Sequence, residues 1–165
     1  MTVQNKVTVE RDDRVLILER IFEAPRELVF TSFSDCEHLE HWWGPKGWTL
    51  PVCEMDFRPG GRWHYCMRGP DGEESWGLTV YREIVAPERL VYTDSFSDEE
   101  GNIVDGMPTM LITVEFAEYE DNRTKLTSRT EFASVEELES VVEMGAIEGI
   151  SETWDRLDDY LATVT

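Results

Sequence analysis

The C-terminal stretch constrains the fold more than any other part of the chain. From Ser134 to Thr163, Val135, Leu138, Val142, Ala146, Ile150, Trp154, Leu157 and Leu161 recur at spacings of three and four. That is the period of an amphipathic helix, and it predicts one long helix here. Ser134 with Glu137 three residues on forms a capping box that marks the start. Gly145 and Gly149 each cost about 1 kcal/mol against Ala in a helix interior. Being four apart, they share one side at the edge of the apolar stripe. Such a smooth groove admits a close-packed sheet or a ligand, and close packing is the first account of it. Either way the helix needs a broad apolar surface to lie on.

The rest of the chain supplies strands. Arg14 to Phe22 is rich in branched residues and reads as the first strand, while residues 1–13 are polar and read as a flexible segment. Pro25 opens a short helix through Phe33, and a second runs from about Asp35 to Trp43, stopped by Gly44-Pro45. From Trp48 onward strands follow one another across turn chemistry: Trp48–Phe57, Arg62–Met67, Ser75–Val85, Arg89–Phe96, Thr109–Ala117 and Thr124–Phe132. Short connections make neighbours antiparallel, because parallel neighbours need long crossovers. Met110, Ile112, Val114 and Phe116 alternate with Leu111, Thr113 and Glu115, the pattern of a sheet with one packed and one wet face. Seven strands and a long helix predict an α+β domain over residues 14–165, its sheet curled round the helix with room for a cavity between them.

Composition removes several function classes. Thirty-five acids against fifteen bases give a net charge of −20, which argues against nucleic-acid or anionic-membrane partners. No apolar run is long enough to span a membrane, and the start lacks the apolar core of a signal peptide, so a cytoplasmic protein is expected. The acids are spread along the chain and read as a solvated surface. Cys36, Cys53 and Cys66 make no disulfide framework. A hairpin turning at Arg58–Gly61 with Phe57 opposite Arg62 would set Cys53 across from Cys66, where a bridge is conceivable. In a reducing cytoplasm two buried thiols are expected instead.

Four motifs in order carry a resemblance: His41-Trp42-Trp43-Gly44-Pro45, Met55-Asp56-Phe57-Arg58-Pro59-Gly60-Gly61, Gly77, and Pro87-Glu88-Arg89-Leu90. Over roughly residues 14 to 163 the chain resembles the START-like, birch-pollen-allergen-like (SRPBCC) superfamily. Within it the chain is similar to the bacterial branch named after the activator of the ninety-kilodalton heat-shock protein ATPase. The resemblance implies a helix-grip fold, a curved seven-stranded antiparallel sheet round a long C-terminal helix, with two short helices after the first strand. It implies ligand binding, catalysis or a chaperone-linked role without choosing among them, since one fold hosts many activities.

Candidates for chemistry are sparse. His38 and His41, with Cys36 nearby and His64 from the sheet, have weak metal-ligand spacing, and surface histidines account for it. Glu54, Asp56, Arg62 and His64 flank the first hairpin and offer an acid or base only if one faces inward. Asp56, beside Arg58, fits a role in fixing the turn. No nucleophile elbow, P-loop or dinucleotide fingerprint is present. No metal or other cofactor is called for.

The aromatic load is the stronger clue. Six Trp and five Tyr exceed what a plain core needs, and indole suits an amphipathic ligand. A cavity bounded by Trp42, Trp43, Met55, Trp63, Trp76 and Met110 on one side and Gly145, Ile147, Gly149 and Ile150 on the other is expected. Its mouth is expected between the second short helix and the loop Ser97–Pro108. The function expected is binding of a small hydrophobic or amphipathic ligand, lipid-, sterol- or polyketide-like, as carrier or sensor, by a monomer or weak dimer. The alternatives are a chaperone-associated interaction domain and an enzyme acting on a cyclic or polyketide-like substrate.

Overall fold

A computed structural model describes residues 7–164. The elements run β1 (Thr8–Asp12), β2 (Val15–Phe22), α1 (Arg26–Thr31), α2 (Cys36–Leu39), β3 (Thr49–Met55), β4 (Arg62–Arg68), β5 (Glu74–Val85), β6 (Arg89–Phe96), β7 (Thr109–Tyr119), β8 (Arg123–Glu131), α3 (Val135–Glu143) and α4 (Ala146–Val164). All strands join one antiparallel sheet in the order β1-β2-β8-β7-β6-β5-β4-β3. The helix-grip arrangement expected from the sequence is present, with α1 and α2 after β2 and the C-terminal helices on the sheet's packed face.

Three features differ from the sequence reading. First, the sheet has eight strands. Residues 8–12, expected to be flexible, pair with β2 from Thr8 opposite Glu19 to Asp12 opposite Val15. A two-residue turn joins the strands, with Asp13 at φ 55°. Every residue of β1 is exposed, so its burial signal is nil. Its role is to pair the backbone of β2, whose Leu16, Leu18 and Phe22 are buried and whose free edge would template aggregation. Residues 1–6 of the segment expected to be flexible lie outside the described residues.

Second, the long helix is broken. Gly145 takes φ +90°, its N–H donating to the Val142 carbonyl at 3.0 Å while its own carbonyl accepts from Gly149. It ends α3 in the left-handed conformation that glycine adopts without a Cβ penalty. Hydrophobic spacing runs unbroken across the kink, which hid it. Ser134 caps α3 as expected, accepting from the Glu137 N–H at 3.1 Å.

Third, the hairpin register is one residue off. Val52, not Cys53, lies opposite Cys66, and Cys53 faces Tyr65. Cys53 therefore points away from Cys66 and instead forms a disulfide with Cys36, tying α2 to β3. Cys66 is the buried free cysteine. The expectation of buried thiols at both Cys53 and Cys66 is corrected on this point.

The core joins Leu16, Leu18 and Phe22 of β2, Val29 and Phe30 of α1, and Phe116 and Leu126 of β7 and β8 to Leu138, Trp154, Leu157 and Leu161 of the C-terminal helices. Arg20 is buried on β2 and pairs with Asp155 at 2.7 Å and Asp158 at 3.7 Å, pinning α4 to the sheet.

Candidate functional site

Between the two buried ends of the C-terminal helices the chain is only partly buried, with Val141, Val142, Ile147 and Ile150 packed against the edge of the core. From Val141 to Ile150 no residue is fully buried, whereas Leu138 before it and Trp154, Leu157 and Leu161 after it are. Beneath this stretch lies a cavity of about 390 Å³. Val141, Gly145, Gly149, Ile150 and Trp154 form its helix side, and Tyr65, Met67, Tyr92, Met110, Ile112 and Thr130 its sheet side. Met144, 63% exposed at the kink, stands at the rim. Trp43, the last residue of the second short helix expected from the sequence, and Ser95 and Phe96, just before the loop 97–108, line it together with the residues at the helix break.

The loop after α2 closes one flank. Trp43, Gly44 and Pro45 line the cavity, and Arg156 of α4 holds them there. Its Nη1 lies 2.9 Å from the Gly44 carbonyl oxygen and within 3.4 Å of those of Trp43, Pro45 and Trp48, while Nη2 donates to His41 O. A guanidinium suits this role because its donors are fixed in a plane. Gly149 meets the same loop, since a Cβ there would touch Pro45 Cγ at 3.7 Å.

The cavity's polar end is Asp94 on β6. Its Oδ1 accepts from Thr79 Oγ1 at 3.2 Å and from Tyr65 Oη at 3.3 Å. Burial pushes its pKa up to about 6, against the opposing pull of those two hydroxyls and the Ser95 backbone N–H. Burial first, and then the Asp94 charge, likewise raises the phenols of Tyr65, Tyr81 and Tyr92. Gly77 makes the Tyr65 contact possible. It sits opposite Tyr65 across β4 and β5, and a Cβ on it would lie 2.5 Å from Tyr65 Cζ.

The expected wall residues divide. Trp43, Trp76, Met110, Gly145, Gly149 and Ile150 line the cavity. Trp42, Met55, Trp63 and Ile147 do not. Trp42 is fully buried, its Nε1 donating to Ser32 O at 3.1 Å. Trp63 donates to Cys53 Sγ at 3.2 Å and packs edge-on against Trp43. Met55 borders a separate surface cleft, and Ile147 packs at the margin of the core. Sequence reasoning missed Asp94, Tyr65 and Tyr92, because an Asp inside a strand reads as an outward residue. The signal available was parity: Tyr92 and Asp94 share a face, and both register with the inward Ile112 and Met110.

The other chemical candidates are occupied elsewhere. Cys36 is in the disulfide, His38 Nδ1 is 2.6 Å from Tyr160 Oη, and His41 stacks on Tyr160. Among the described residues no group of three or more His, Cys, Asp or Glu is placed to hold a metal ion. His64 Nε2 meets Asp98 O at 3.0 Å, with Glu54 Oε1 3.8 Å from its other ring nitrogen. Arg62 donates to Gly101 O, so this group braces the hairpin against the 98–102 loop. Asp56 accepts from Arg58 Nε at 2.7 Å, as expected of a turn-fixing pair. No helix among the described residues is long and apolar enough to cross a membrane.

Sheet, gripping helices and the enclosed cavity define the SRPBCC class of α+β domains. Within that class, residues 23–162 match the family model described as Activator of Hsp90 ATPase homolog 1-like protein, and the chain belongs to that family. Solved structures agree. A Mycobacterium smegmatis protein is 34% identical at a TM-score of 0.85, covering 93% of this chain and 95% of its own. An Arthrobacter aurescens protein is 33% identical at a TM-score of 0.84, covering 94% and 91%. The AHSA1 protein from Silicibacter pomeroyi, 21% identical at a TM-score of 0.73 with 92% and 99% covered, shares the fold. No curated protein matches the chain.

Proposed function

We propose that this protein binds a small, mostly apolar molecule in the cavity between the sheet and the C-terminal helices, as a carrier or sensor. The observation that carries the reading is the cavity itself. Its volume of about 390 Å³ falls within the range of ligand pockets, roughly 300–1,000 Å³. Trp43, Trp76, Met110, Gly145, Gly149 and Ile150 would form the contact walls, with Trp42, Trp63, Met55 and Ile147 supporting them from behind. Binding fits this site better than catalysis. Beside Asp94 are the Thr79 hydroxyl and phenols of raised pKa, none of them a group poised near neutral pH to complete an acid–base cycle. Native mass spectrometry of protein from its own host tests the reading. A bound mass that leaves on denaturation is expected, and its loss in Ile150→Trp, which fills the cavity from the helix side. An unliganded mass together with no uptake of aromatic probes would overturn it.

A second reading is favoured by the family description, which names an activator of the Hsp90 ATPase. In this reading the domain docks on a chaperone of that type. The ATPase rate of the host's own chaperone, measured with and without this protein, decides it: acceleration supports docking, and an unchanged rate without co-purification removes it. A monomeric or weakly dimeric state and a cytoplasmic place of action complete the proposal, the latter on the condition that the Cys36–Cys53 bridge resists a reducing environment. Cell fractionation and sedimentation test these two points.

A further inference from the structure

Among the described residues Asp94 is the one acidic or basic residue lining the cavity, with no Lys, Arg or His beside it there. Both hydroxyl donors that reach its side chain fall on Oδ1, and among the described residues Oδ2 has no side-chain donor. No ion pair among the described residues includes it, although Arg20, buried on β2, has two carboxylates. A carboxylate in an apolar space without a cation is unfavourable, and it is retained only where something else compensates it.

We propose that the ligand of this cavity is a cationic amphiphile: an apolar body against Trp43, Met110 and Ile150, and a protonated primary or secondary amine donating to Asp94 Oδ2. This rests on the cavity being the ligand site. A neutral ligand leaves the carboxylate with the hydroxyls of Tyr65 and Thr79 and the Ser95 backbone N–H but without a counter-charge. A fatty acid or other anion brings a second negative charge into the same apolar space, where repulsion is strongest. Hydroxyls at Tyr65 and Thr79 already hold Oδ1, so the carboxylate is oriented before the ligand arrives. The net charge of −20 enriches cations around the molecule and disfavours anions. Gly77 completes the arrangement by leaving room for the Tyr65 ring beside Asp94.

Isothermal titration with naphthylmethylamine, naphthalenemethanol and naphthoate, which share one apolar body, tests the proposal on the intact protein. The amine is expected to bind about ten-fold or more tighter than the alcohol, since its hydrogen bond to the carboxylate pairs two opposite charges whereas the alcohol brings none. Naphthoate is expected to be the weakest of the three. Asp94→Asn should erase the amine's advantage over the alcohol. The wild-type protein gives a second readout that needs no variant. The advantage should narrow as pH falls from about 7.5 to about 5, because Asp94 takes a proton while the amine stays charged. The groups facing Asp94, namely Tyr65, Tyr81 and Tyr92, have raised pKa values and stay neutral throughout. Equal binding of all three probes, or tightest binding of naphthoate, would overturn the amine assignment and leave the cavity reading standing. Failure of all three to bind would remove both.

Discussion

At Asp94 a single carboxylate sets a measurable pH dependence. Its folded pKa of about 6 lies above the ordinary 3.8 because burial disfavours the charged form. The folded protein therefore holds this proton more tightly than the unfolded chain does. The stabilising contribution is fully present below the unfolded value and is lost as pH rises through the folded one. Relative to Asp94→Asn, the wild type should lose up to about 3 kcal/mol between pH 4 and pH 7.5. The side chain keeps some surface toward the cavity, which makes that figure an upper bound. Thermal unfolding of both proteins across this range checks the prediction. Gly77 is the matching test of sterics. Its replacement by Ala pushes a methyl into the Tyr65 ring and should destabilise by about 1–3 kcal/mol, as other overpacking changes do. Tyr65→Phe in the same background separates the clash from the lost hydrogen bond to Asp94: if the clash dominates, most of the loss remains.

Among the elements, the break between α3 and α4 matters most, because the partly buried residues on both sides of it, Val141, Gly145, Gly149 and Ile150, line the cavity. The two glycines that share a side in a continuous helix have different roles in the broken one. Gly145 needs its positive φ, so Gly145→Ala should destabilise by about 1–2 kcal/mol. Gly149 is an ordinary helical residue, and its added methyl meets only Pro45 at van der Waals distance. Gly149→Ala should therefore stabilise by up to about 1 kcal/mol. Opposite signs in urea unfolding are the expected result; equal signs would mean that the helix is continuous. Most element positions were legible in the sequence. β2 through β8 follow branched-residue runs and turn chemistry, and the Ser134 cap lies where its motif marks it. β1 was not legible, since an exposed edge strand is held by backbone pairing alone and leaves no apolar alternation. The kink was hidden for a related reason: hydrophobic spacing records which face is apolar, not whether the backbone is continuous.

For the whole molecule, the disulfide from Cys36 to Cys53 ties α2 to the edge strand β3 across a separation of 17 residues. Closing a loop of this length restricts the unfolded chain by about 3 kcal/mol in the chain-entropy account. Reduction should lower the unfolding midpoint accordingly, and Cys36→Ala should remove the sensitivity to reductant. Alkylation in denaturant without reductant should find one thiol, Cys66, and alkylation after reduction three.

Local periodicity, turn residues and capping determined the order of strands and helices, the packed face of β7 and the α+β class, to which the family resemblance added the helix-grip. These depend on neighbours in sequence, whose side-chain directions follow directly from helix and strand periods. Tertiary structure alone decided the rest. It chose Cys36 as the partner of Cys53, because a shift of one residue in the hairpin register turns a side chain to the opposite face. It brought Asp94, Thr79 and Tyr65 from three strands into one polar end. It also set Arg156 against the carbonyls of a loop more than a hundred residues away in sequence. Such contacts depend on register and on where the backbone bends, and no local pattern of residue types records either.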